Sequence, residues 1–149
     1  MAIAILVDEP FRSLVPTSQL KAAIVAALEF ESAEGDVTLV ITDDEAIAAL
    51  NRRFLGKEGP TDVLSFPAQD EGNAFALPPD SPSYLGDIVI AYPYAAAQAR
   101  SLNRPVTAEL SLLTVHGVLH LLGYDHAEPE EREVMWDRQE RILAGLRSS

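Results

Sequence analysis

The chain has no cysteine, and that absence removes three chemistries at once. Disulfide scaffolds, thiolate metal centres and cysteine nucleophiles are excluded, so any metal must be held by nitrogen and oxygen ligands. Basic residues are scarce: 11 Lys and Arg stand against 23 Asp and Glu, a net charge of −12 at neutral pH. That balance excludes a uniformly basic nucleic-acid binder and leaves room only for a local basic patch on an acidic body. Long apolar runs are missing as well. None approaches the roughly 20 residues of a membrane span, and the apolar stretch 2–7 lacks the basic residues that precede a secretory core. The expectation is a soluble, cytoplasmic protein with no membrane partner.

What is present suits one domain. A chain of 149 residues, 48% of them hydrophobic, has enough apolar material for a single core. Residues 2–7 read as a strand, and Thr17 or Ser18 offers an N-cap to a helix with Leu20, Ile24, Ala27 and Leu28 on one stripe, stopped by Gly35. Val37, Leu39 and Ile41 alternate as in a half-buried strand. Asp43 or Asp44 caps a second helix through Ile47, Leu50 and Phe54, ended by Gly56. Further strands are expected over 61–66 and 86–91, and helices over 94–102, 107–122 and 129–146. The stretch between those last two strands, 68–84, contains Pro78, Pro79 and Pro82 and reads as either a functional lid or a disordered connection. Strands early and helices late predict an α+β fold: a single domain, with a small mixed β-sheet and helices packed against it.

All three histidines fall within eleven residues, His116-Gly-Val-Leu-His120-Leu-Leu-Gly-Tyr-Asp-His126. His116 and His120 are one helical turn apart and project from the same face. Gly123 suits the left-handed residue just past a helix end, and the turned chain brings His126 back toward the same point. Three neutral imidazoles and an open water position make a catalytic zinc site, here on an apolar and therefore central helix. Asp125 either orients a ligand imidazole or caps the next helix. The spacing is that of the metzincin peptidases, which place glutamate after the first histidine as general base. This chain has Gly117 there, so the metal geometry survives and the peptidase chemistry does not.

The histidine run resembles the signature of the YbeY family of bacterial metal-dependent endoribonucleases. Two more segments share the likeness: Asn51-Arg-Arg-Phe-Leu-Gly-Lys57 leading through Gly59-Pro60-Thr61-Asp62-Val63-Leu64-Ser65-Phe66-Pro67, and Leu85-Gly86-Asp87-Ile88-Val89-Ile90. The resemblance implies a zincin-like fold, one zinc ion on His116, His120 and His126, and cleavage of single-stranded RNA. It further implies 3′-end maturation of 16S ribosomal RNA, ribosome quality control, and ribosomal particles or proteins as partners. One departure stands out. The family usually has arginine, directed at the RNA, where this chain has Leu55. Leucine donates nothing to a phosphate, so Arg52, Arg53 or Lys57 substitutes, or the activity is weak or differently arranged.

Arg52, Arg53 and Lys57 gather three of the eleven basic residues within six positions. On their own they read as cations complementing a helix C-terminus. With the resemblance they read as phosphate contacts, Arg53 and Lys57 steadying charge at the reacting phosphodiester and Arg52 and Ser65 helping to bind substrate. Thr61, Asp62 and Ser65 either line a cleft or satisfy strand ends, and Phe66 reads as core. The mechanism expected is metal-assisted phosphodiester hydrolysis, with Asp62, Asp87, Asp125 or the RNA's own 2′-hydroxyl as open candidates in proton transfer. Two alternatives are a zinc-dependent hydrolase of another substrate and a non-catalytic ribosome-assembly factor.

Overall fold

The computed structural model describes residues 2–68, 84–125 and 127–147. Four strands, β1 (Ile3–Val7), β2 (Asp36–Thr42), β3 (Val63–Pro67) and β4 (Tyr84–Ala91), form one sheet in the order β1-β2-β4-β3. β1, β2 and β4 run parallel, and β3 is antiparallel on the edge beside β4. Among the described residues five α-helices accompany them: α1 (Thr17–Phe30), α2 (Asp44–Leu50), α3 (Tyr92–Ser101), α4 (Val106–Leu121) and α5 (Pro129–Arg147). The architecture is the mixed α+β domain expected. Residues 69–83, the core of the proline-bearing stretch read as lid or disorder, lie outside the described residues, as does His126. Among the described residues no helix is long and apolar enough to cross a membrane.

Alternation decides which face of the sheet is covered. Val37, Leu39 and Ile41 of β2 and Ile88 and Ile90 of β4 point to one side, where Leu20, Ile24 and Leu28 of α1 and Leu110, Val118 and Leu119 of α4 close over them. Each fully buried aliphatic side chain there contributes about 1.5–3 kcal/mol relative to exposure. On the other side Leu64, Val89 and Ala91 meet Ile47 of α2, a smaller cluster that leaves part of that face open. Helix α4 is apolar nearly all round because it packs against α1, α3, α5 and the β3–β4 edge at once.

Three helices end in the same backbone lock. After α1, α3 and α4, Ser32 (φ 53°), Asn103 (φ 57°) and Gly123 (φ 105°) turn left-handed. The following N–H then bonds back to the carbonyl five residues earlier: Ala33 to Leu28, Arg104 to Ala99 and Tyr124 to Leu119. Gly123 acts as its sequence suggested. Gly35 does not, because Ser32 has already ended α1. Thr17 and Ser18 likewise lie inside α1, whose N-cap is Pro16 with no side-chain cap. Asp43 does cap α2, its Oδ1 accepting from Ala46 N at 2.7 Å. Beyond Leu50 the helix widens into a π turn, Asn51–Leu55, which Gly56 (φ 67°) ends.

Candidate active site

His116 and His120 occupy the last turns of α4, half-buried at the β3 edge. Their Nε2 atoms are 3.1 Å apart, and the rings stand nearly perpendicular, at 76°. Zinc bonds imidazole nitrogen at about 2.0–2.1 Å, which at a tetrahedral angle separates two such nitrogens by about 3.3 Å. The pair therefore fits shared ligation of one ion. Behind it, His116 Nδ1 lies 3.0 Å from Gln139 Oε1 of α5. Asp125 is exposed on the turn after α4 and borders a shallow depression with Glu130 and Glu131.

Gly117, where the metzincins carry glutamate, faces the sheet. A Cβ at this position would sit 2.7 Å from Ile88 Cγ2, closer than side-chain carbons approach. Ser65, opposite Ile88 in the sheet, donates from Oγ to Gly117 O at 3.2 Å. Helix and sheet thus meet without an intervening side chain, and a glutamate has no place there.

The histidine pair opens into a cleft of about 440 Å3 whose other wall includes Leu55, Lys57, Thr61, Asp62 and Ser65. Asn51, buried at the foot of the π turn, donates from Nδ2 to Gly59 O at 3.0 Å and so ties down the loop that carries Lys57. Arg53 goes elsewhere. It lines a separate groove on the opposite face of the sheet with Leu6, Thr38, Phe66 and Asp87, its guanidinium 5.2 Å from the Phe54 ring. Arg52 is exposed. Phe66 packs edge-on against Phe54 at 5.4 Å within the smaller apolar cluster. Asp87 also belongs to that far groove, hydrogen-bonded by the Tyr84 hydroxyl. Burial and this bond push Tyr84 up to about 12.

Of the three aspartates considered for proton transfer, Asp62 borders the cleft. Its Oδ1 accepts from Val63 N at 2.8 Å and Thr61 Oγ1 at 3.3 Å, and its Oδ2 accepts from Gln98 Nε2 at 3.2 Å. Gln98 Nε2 also donates to Glu109 Oε2 at 2.6 Å, and Glu109 pairs with Arg104 at 3.3 Å. Sequence reading passed over Gln98, Glu109 and Gln139. The available signal was a polar residue inside an apolar stripe: Glu109 beside Leu110 and Leu113, and Gln139 among Met135, Ile142 and Leu143.

The sequence profile of the family described as Endoribonuclease YbeY matches residues 11–147. The chain belongs to the YbeY family. Its YbeY relatives include the Endoribonuclease YbeY of Roseiflexus sp. (strain RS-1), 41% identical over 97% of this chain and 92% of that protein. That of Geobacillus kaustophilus (strain HTA426) is 45% identical over 87% and 85%. The solution structure of TM1509 from Thermotoga maritima matches with a TM-score of 0.62 at 25% identity, covering 97% of this chain and 88% of that one. This YbeY chain is accordingly an endoribonuclease, and RNA is its substrate.

Proposed function

We propose that the chain is a zinc-dependent, single-strand-specific endoribonuclease of zincin-like design, with His116, His120 and His126 as the metal ligands. The observation that carries this reading is the pair of Nε2 atoms, 3.1 Å apart, at a cleft that Lys57 and Asp62 also line. Zinc, when bound, supplies Lewis acidity and a source of hydroxide near neutral pH.

The chain's own residues do the rest. Lys57 holds a positive charge toward the reacting phosphate, where developing negative charge needs it most. Asp62, kept in place by Thr61, Val63 and Gln98, accepts the proton of the attacking hydroxyl, whether from water or from the RNA 2′-position. Ser65 lines the same cleft as a substrate contact. Arg52 and Arg53, outside the cleft, are assigned to the flanking strand. Asp125, one residue before His126, orients a ligand imidazole. The biological setting proposed is the cytoplasm: 16S ribosomal RNA 3′-end maturation and ribosome quality control, with ribosomal particles or proteins as partners. A net charge of −12 opposes tight nonspecific RNA coating, so a partner that delivers the RNA fits this chain.

The deciding experiment compares metal-loaded protein with its His120→Ala variant on single-stranded RNA. Cleavage by the first and its loss in the second, with chelator abolishing the activity, is the expected result. Equal cutting by both would identify a contaminating nuclease and end the proposal.

A further inference from the structure

We propose that Gln139 is a positioning residue that fixes the proton on His116, an inference that rests on the zinc reading above. Gln139 is 6% exposed and sits in the apolar stripe by which α5 docks, with Met135, Ile142 and Leu143 buried around it. A carboxamide in such a seam is unfavourable unless its polar atoms are used. Its Oε1 is 3.0 Å from His116 Nδ1. A carboxamide oxygen only accepts, so Nδ1 must carry the hydrogen. A neutral imidazole has one N–H, and the lone pair is therefore left on Nε2, the nitrogen that faces His120 at 3.1 Å.

The arrangement matches what an imidazole ligand requires: one nitrogen held by an acceptor behind it, the other presented to the ion. It comes from a helix 23 residues further along the chain. The docking of α5 is thereby part of the site and not merely of the core.

Long-range proton–nitrogen NMR of the imidazoles in metal-free, full-length protein reads the tautomer directly. His116 is expected as the Nδ1–H form in the wild type and in Gln139→Glu, which keeps an acceptor. In Gln139→Leu it is expected to shift toward Nε2–H, with zinc affinity, measured by competition against a chromophoric chelator, falling about 10–100-fold. An Nε2–H imidazole in the wild type, or a leucine variant that keeps both tautomer and affinity, overturns the proposal. Should the leucine variant not fold, loss of the Nδ1–H form in Gln139→Glu overturns it equally. If the wild type binds no zinc at His116, the metal reading fails, while the tautomers still decide the role of Gln139.

Discussion

Gln98 holds Asp62 from behind, donating to its Oδ2 at 3.2 Å while the same amide nitrogen donates to Glu109 at 2.6 Å. The buried Glu109 thus acts on the cleft without reaching it. Gln98→Met preserves volume but leaves both carboxylates short of a donor, and is expected to lower stability by about 1–3 kcal/mol. Because Asp62 loses its orientation, single-turnover RNA cleavage should slow as well, beyond any loss of folded protein. Urea unfolding and cleavage rates check the two effects separately. Reduced stability with unchanged cleavage would remove Asp62 from the chemistry.

Gly117 and Ile88 set how closely α4 approaches the sheet. Gly117→Ala places a carbon 2.7 Å from Ile88 Cγ2 and is expected to destabilise by about 1–3 kcal/mol, in the manner of an overpacked core. Ile88→Ala removes Cγ2 and should cost less in the Gly117→Ala background than on its own. A double-mutant cycle of unfolding free energies measures the coupling. Strict additivity of the two changes would mean that they do not share this contact.

Leu55, 51% exposed, lies on the cleft wall beside Lys57. Leu55→Arg puts a guanidinium on that wall, able to donate to a phosphate where leucine cannot. Charge-assisted hydrogen bonds contribute about 1.5–3 kcal/mol, so kcat/KM on single-stranded RNA is expected to rise about tenfold or more. The gain should shrink as salt is added. An unchanged rate at low salt would show that Lys57 already meets the need.

The Tyr84 hydroxyl is pushed up to about 12, first by burial and then by its bond to Asp87. An unfolded tyrosine ionises near 10. The folded chain therefore holds this proton more tightly, a contribution complete below about pH 10 and lost as pH rises through about 12. Wild-type stability is expected to fall more steeply across that window than that of Tyr84→Phe, as read by urea unfolding at stepped alkaline pH. Parallel slopes would contradict the assignment.

Local pattern in the sequence reaches the strands and helices because it reports burial directly: Val37, Leu39 and Ile41 alternate, and Leu20, Ile24 and Leu28 share a stripe. Helix ends are less legible, since Ser32 and Asn103 take left-handed conformations that the eye assigns to glycine. The histidine pair was readable because its residues are neighbours on one turn. The basic cluster separates in space although its residues are neighbours in the chain. Arg53 and Lys57 are close in the chain, yet the π turn and Gly56 send them to opposite sides of the sheet. The polar residues Glu109 and Gln139 stand out in their apolar stripes, but what they serve does not: Gln98 bonds Asp62 and Glu109, and Gln139 meets His116, across stretches of chain that only packing brings together.

The lock after α4 bears on how a metal would meet this protein. Gly123 and Tyr124 are fastened to His120 and Leu119 by backbone hydrogen bonds, and the Tyr124 hydroxyl donates to Glu31 Oε1 at 2.6 Å. Arg138 of α5 reaches the other oxygen of Glu31 at 3.5 Å. The exit from the histidine helix is thus held by the polypeptide itself, unlike a zinc finger, which folds only around its ion. On the zinc reading proposed above, the ion would bind after this turn has formed. Stripping zinc with a chelator should leave a cooperative thermal transition, lowered only by mass action, about 2.7 kcal/mol at a hundredfold excess over Kd. A chain that unfolds on chelation would show that the ion, not the lock, holds the turn.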